Sequence, residues 1–203
     1  VLQAKLKADD SRIDINKIKE GDLTFPKLTG GYITKADKTE GADVAAWSMP
    51  NSSGWSTNFI HEHPKPTTVN PVQNNYIKNE FETLANHARQ QNTSVSNGYP
   101  SVIDIPSFID FIILNEISSN ADGYEFSSFF HKDRNGKLRA GPIWDFNLTF
   151  GNDLFQWGYD RSKTDIWQFD DGFKCKLNSC CYWSNANFSF NGPYFRLWII
   201  YCY

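Results

Sequence analysis

Asp122 and Asp145 lie 23 positions apart and flank a segment whose middle reads Asp133-Arg134-Asn135-Gly136. Asn-Gly marks a tight turn between extended runs, and the runs from Phe126 to His131 and from Lys137 to Trp144 predict a β-hairpin around it. The midpoint of the two aspartates falls inside that turn, so the hairpin is expected to bring them together at its open end. Tyr124 beside one, and Trp144 and Phe146 beside the other, would partly exclude water. Neighbouring anions in such a place repel unless they share a cation or a proton. The chemistry this suits is a divalent-metal site, one carboxylate holding the ion and the other orienting a hydroxyl for proton removal, as phosphoryl transfer requires. Asn120, Ser127 and Asn147 add neutral oxygens, which suit a hard cation. The competing reading of the pair is two acidic strand ends in water.

Other clusters carry less. His61-Glu62-His63 puts two imidazoles on one side of an extended chain, a spacing usable for a metal, but no third ligand follows and an exposed loop is expected. His131 reads as a surface-strand residue, since no Ser or Cys nucleophile in a G-x-S-x-G setting exists for it to activate. Asp133-Arg134-Asn135-Gly136 lacks the later acidic ligand of a calcium loop and reads as a turn. Lys35 and Lys38 read as solvated charges, and Trp47, Trp55, Trp157 and Trp167 as core aromatics rather than a sugar-stacking surface.

The elements that must position the aspartates are legible in part. Arg12-Ile13-Asp14-Ile15 and Tyr32-Ile33-Thr34 alternate as strands do, whereas residues 41–70 have no sustained period and predict loop or short strand. Asn70-Pro71 supplies a cap and a first-turn proline, and Val72, Tyr76, Ile77, Phe81, Leu84 and Ala88 recur at helical spacing up to about Gln91. After a loop over 92–106, Ser107 is positioned to cap a second helix, with Asp110 in its first turn. Phe108 to Leu114 make that helix apolar nearly all round, so it should be central and buried.

Bulk properties exclude several classes. The 203 residues are 40% hydrophobic and 21% charged with a net charge of -3, which is a globular composition without the basic field that gathers nucleic acid. The apolar run from Phe108 to Ile117 is interrupted by Asp110 and Glu116 and is too short to span a bilayer. Four cysteines, Cys175, Cys180, Cys181 and Cys202, crowd the end of the chain without metal-ligand spacing, and they read as small buried thiols. Asn-x-Ser/Thr triplets begin at Asn51, Asn92, Asn147 and Asn187 and would permit glycosylation in a secreted eukaryotic protein. The chain opens at Val1 without an initiator methionine or leader, and is expected to be a piece of something longer.

An ordered set of motifs carries a resemblance. Ile105-Pro106-Ser107-Phe108-Ile109-Asp110, Asn115-Glu116-Ile117, Asn120-Ala121-Asp122-Gly123-Tyr124, the run from Phe129 to Leu138, Gly141-Pro142-Ile143-Trp144-Asp145-Phe146-Asn147 and Phe150-Gly151-Asn152 together resemble the CotH family, named for a spore-coat protein. Arg12 to Ile15, Leu28 to Ile33, Pro64-Lys65-Pro66, Gln73 and Tyr76-Ile77 extend the likeness over residues 1–170, and residues 171–203 are a poorly matching continuation.

The resemblance implies an α+β fold of the atypical protein-kinase type, mostly its C-terminal part, with mixed sheet and hairpins packed on helices. It implies phosphate transfer from ATP to Ser/Thr of secreted, coat or surface proteins with Mg or Mn, in an extracellular, cell-surface or spore-coat setting. Some relatives act instead as adhesins, so a non-catalytic surface-binding module is the alternative. By the family's motifs Asp122 takes the catalytic-loop role and Asp145 the metal-binding role, and Ser127 stands five positions after Asp122, where ordinary kinases place a metal-binding asparagine. Ala4 stands where the family usually has Glu, no glycine-rich loop is present, and the nucleotide-positioning residues are expected upstream of Val1, so that this piece alone is not expected to phosphorylate a substrate.

Overall fold

A computed structural model describes residues 6–50, 56–120, 122–124 and 126–152. Its framework is a five-stranded sheet of order β2-β3-β1-β4-β5, formed by Tyr32–Ala36 (β1), Trp47–Pro50 (β2), Ser56–His63 (β3), Ser128–Lys132 (β4) and Arg139–Ala140 (β5). The four strand pairings within this sheet are antiparallel rather than mixed. Pro71–Arg89 (α1), the short Tyr99–Val102 (α2) and Ile105–Ile117 (α3) are the α-helices among the described residues. The class is α+β, as expected.

Strand alternation divides the core into two layers. Tyr32 and Ala36 of β1, Phe59 of β3 and Phe130 of β4 face the helices and meet Ile77, Phe81 and Leu84 of α1 and Phe108, Phe111 and Ile112 of α3. Ile33 and Phe129 face the opposite way, where Ala8, Ile13 and Ile15 cover them and Trp144 packs alongside. The segment Arg12 to Ile15, read as a strand, makes only an isolated bridge, Ala8 to Ile13. Residues 41–70, read as loop or short strand, contain β2 and the eight-residue β3.

Helix α1 begins as its sequence dictates. Asn70 accepts from the Val72 amide, and Gln73 returns a bond to the Asn70 amide, closing a capping box with Pro71 in the first turn. Val72 nevertheless lies outside the core, because buried Gln73 turns inward at that level to donate to the carbonyls of Lys19 and Asp22. Helix α3 starts earlier than expected: Asp104, not Ser107, is the cap and accepts from the Ser107 amide. Nor is α3 buried all round. Phe108, Phe111, Ile112, Asn115 and Glu116 are inside, whereas Ile113, Leu114 and Ile117 are exposed.

Three further expectations are corrected. His61 is fully buried within β3, not in an exposed loop. Lys35 is not solvated: its amine sits 2.7 Å from Asp43 and 3.6 Å from both Asp37 and Glu62. His131 is half-buried, its Nδ1 2.9 Å from the Gly141 carbonyl oxygen. Trp47 is a core residue, stacked on Phe59 at 5.2 Å. Asn51, Trp55, Trp157, Trp167, Asn187 and the four cysteines lie outside the described residues.

Candidate functional site

The hairpin is present, but its ladder does not itself set the two aspartates face to face. Phe130 pairs with Ala140 and His131 with Arg139, which centres the register on Asn135; continued outward, it would put Asp145 opposite position 125 rather than Asp122. Pairing also stops early. Gly141, at φ +99 before a cis bond to Pro142, donates a last bond to the Phe129 carbonyl and turns the chain away. Trp144 then packs edge-on against Phe129 at 6.0 Å, leaving Asp145 at the head of a single 3-10 turn, Phe146–Leu148.

What joins the two loops is the end of α3. The Ser118 amide caps the helix, and the Ser118 carbonyl accepts from the Phe150 amide at 2.6 Å, which pins the Asp145 loop to the helix terminus. The same terminus launches the Asp122 turn: the Asn120 amide bonds back to the Asn115 carbonyl, Gly123 to Asn120 and Phe126 to Asp122. Tyr124 closes the turn, its hydroxyl donating to the buried Glu116 carboxylate and its ring edge-on to Phe111. Asn115, Glu116 and Ser118 build the site without a motif that marks them for it. The signal for the first two was present, a polar pair in an otherwise apolar helix.

Backbone strain concentrates here. Ser119, Tyr124, Ser127, Asp145 and Phe150 all have positive φ without being glycine, and such conformations persist only where surrounding structure imposes them. Asp122 and Asp145 are half-buried, and Ser127 is half-buried at the entry to β4. No hydrogen bond among the described residues joins Ser127 to Asp145.

The donors suit a hard cation. The Asn147 amide terminus lies 2.8 Å from Asp145 Oδ1 and 2.9 Å from the Asp145 carbonyl oxygen, and with its nitrogen turned inward it donates to both. Rotated by half a turn, the same group would present an oxygen beside two others, which a cation would favour. Asn120 Oδ1 is buried without a partner, the kind of orphan that a bound ion or water satisfies. Among the described residues no three His, Cys, Asp or Glu side chains gather to hold a metal. A site here would therefore rest on Asp145 with neutral oxygens beside it.

A cleft of about 410 Å³ lies next to this region, lined among others by Arg12, Asp110, Leu114, His131, Arg139 and Ile143; neither aspartate is part of its wall. Burial holds the His131 imidazole below its usual range, with the Gly141 carbonyl opposing. Among the described residues no helix is long and apolar enough to cross a membrane.

A five-stranded antiparallel sheet with α1 and α3 on one face, and two aspartate-bearing loops moored to one helix end, places the chain among α+β proteins. The family described as CotH kinase protein matches residues 8–179, and the chain belongs to that family. No curated protein and no solved structure matches it.

Proposed function

We propose that the chain carries the catalytic and metal-binding loops of an ATP-dependent protein kinase of the atypical, protein-kinase-like type, whose substrates are Ser/Thr side chains of secreted, coat or cell-surface proteins. The observation that carries this reading is the mooring of the Asp122 turn and the Asp145 loop to the same end of α3, through Asn120 to Asn115 and Phe150 to Ser118. Asp122, in a turn closed by Tyr124 and Glu116, is the group that orients the acceptor hydroxyl and takes its proton on a carboxylate oxygen. Asp145 and Asn147 are the residues that would hold magnesium or manganese, with Ser127 as a weaker hydroxyl donor. When bound, the ion supplies neutralisation of the phosphate charge.

The test uses the full-length protein with labelled ATP, magnesium and a Ser/Thr-bearing acceptor from the same surface or coat. Wild type should transfer label to the acceptor, and Asp145→Ala and Asp122→Ala should each lower transfer by at least about 100-fold, the scale of losing one acid–base or electrostatic group. Transfer that survives either change would remove the site assignment. Complete absence of transfer in the wild type would favour a binding module on the same framework.

A further inference from the structure

We propose that Asn115 is a positioning residue of this site, and that it holds Asn120 so that the Asn120 side-chain oxygen joins the ligand shell of the bound cation. The inference rests on the functional reading above and deepens it.

Asn115 is 1% exposed and Asn120 3%. Asn115 Nδ2 donates to the Phe111 carbonyl at 2.8 Å, which leaves its Oδ1 pointing out of the helix, and that oxygen accepts from Asn120 Nδ2 at 2.8 Å. The relay fixes the sense of both amides. With its nitrogen committed, Asn120 must present Oδ1 on the other side, where it is buried and unpartnered. An uncompensated buried acceptor costs about 1–3 kcal/mol if nothing meets it, so this orphan oxygen two residues from Asp122 points to a ligand.

The Asn115 backbone adds to the same task. Its carbonyl accepts from the Asn120 amide at 3.0 Å and from Ser118 Oγ at 3.3 Å, and Ser118 in turn receives Phe150 from the Asp145 loop. Gly123 completes the fit, since a Cβ there would meet Asn115 Oδ1 at 2.7 Å. The Asn115 side chain thus acts on the Asp122 turn, while the Asp145 loop is tied next door, at the Ser118 carbonyl. Leucine is similar in size and would fill the space while removing the amide relay.

The test is Mn²⁺ binding to the full-length protein, read by electron paramagnetic resonance and calorimetry, with melting temperature measured in parallel. Asn120→Leu should weaken Mn²⁺ binding by about 10- to 100-fold, the usual cost of losing a supporting group at a metal site. Asn115→Leu should do the same alone, yet cause no further weakening in the Asn120→Leu background, because it acts through that oxygen. If Asn115→Leu does not fold, Asn115→Ser, which also breaks the relay, replaces it in the cycle. Unchanged Mn²⁺ affinity in folded Asn120→Leu overturns the proposal, as does an Asn115 effect that is undiminished when Asn120 is already Leu. Asp145→Ala separates the levels. Wild-type affinity in that variant, or no binding by the wild type, counts against the site itself, whereas loss there with unchanged Asn120→Leu counts only against the role given to Asn120.

Discussion

Phe150 donates its amide to the carbonyl of Ser118 at 2.6 Å across 32 residues of chain, and this bond connects the Asp145 loop to the helix that launches the Asp122 turn. The Phe150 side chain is 75% exposed and its φ is +53, so the backbone and not the ring carries the connection. Glycine relieves a left-handed position but loosens the unfolded chain, two effects of similar size. Phe150→Gly should therefore stay within about 1 kcal/mol of wild type in denaturant unfolding. Phe150→Pro, which lacks the amide and cannot adopt that φ, should cost about 3 kcal/mol or more and weaken Mn²⁺ binding. Equal losses in both variants would show that the ring holds the loop.

The aromatic centre of the helix-facing layer should dominate stability. Phe81 lies 4.9 Å from Phe59, 5.4 Å from Phe130 and 5.6 Å from Trp47, centroid to centroid, so it touches β3, β4 and β2 at once. Phe81→Ala should cost about 3–5 kcal/mol in urea unfolding. Val72→Ala, on the exposed side of the same helix, should change stability by less than about 0.5 kcal/mol. A reversal of that order would mean that α1 is rotated about its axis.

That contrast also shows what the sequence could and could not reveal. Periodicity located α1 and its cap because Asn70 and Pro71 act through local geometry, but it grouped Val72 with Ile77 and Phe81 because a period cannot see that Gln73 would be drawn inward by the carbonyls of Lys19 and Asp22. The Asn-Gly turn was legible for the same local reason. The hairpin's shortness was not, since it follows from how Gly141 and Pro142 leave the sheet. The turn midway between Asp122 and Asp145 was legible, but the ladder does not set the two aspartates opposite each other, and what the sequence did not announce is the device that moors their loops. It consists largely of backbone bonds to Asn115 and Ser118, which no side-chain pattern announces.

Close approach, not torsion, explains Gly30. Its φ of -171 is ordinary extended backbone, but a Cβ would meet the Asp133 carbonyl carbon at 2.0 Å and the Arg134 nitrogen at 2.1 Å. The hairpin turn rests there, tied by the Asn135 amide to Thr29 Oγ1 at 2.8 Å and by the buried Lys132 amine to the carbonyls of Thr29 and Gly136. Gly30→Ala should push the turn away and cost about 3 kcal/mol, seen as a lowered melting temperature with faster amide exchange at Asn135. An unchanged melting temperature would show that the turn can shift without loss.

Acid should destabilise the sheet through its imidazoles. His61 is buried between Trp47, Thr34 and α1, and Asn74 Oδ1 lies 2.8 Å from its Nε2. Its Nδ1 has no partner, and the Thr34 hydroxyl, on the residue paired with it across the strands, has none either. Burial pushes the His61 imidazole below its usual range more than the Asn74 bond raises it, and burial lowers His63 and His131 as well. A base with a depressed folded pKa takes up its proton more readily in the unfolded chain. Its contribution is therefore complete above the unfolded value of about 6.5 and is lost as pH falls from there through the folded value. Each such imidazole can contribute a slope of up to about 1.4 kcal/mol per pH unit in that window. Urea midpoints measured from pH about 8 to about 5 should be flat at first and then fall. His61→Gln, which can still meet Asn74 but carries no titrating group, should have a shallower acid slope than the wild type. If the two slopes coincide, His61 is not the group that the acid reaches.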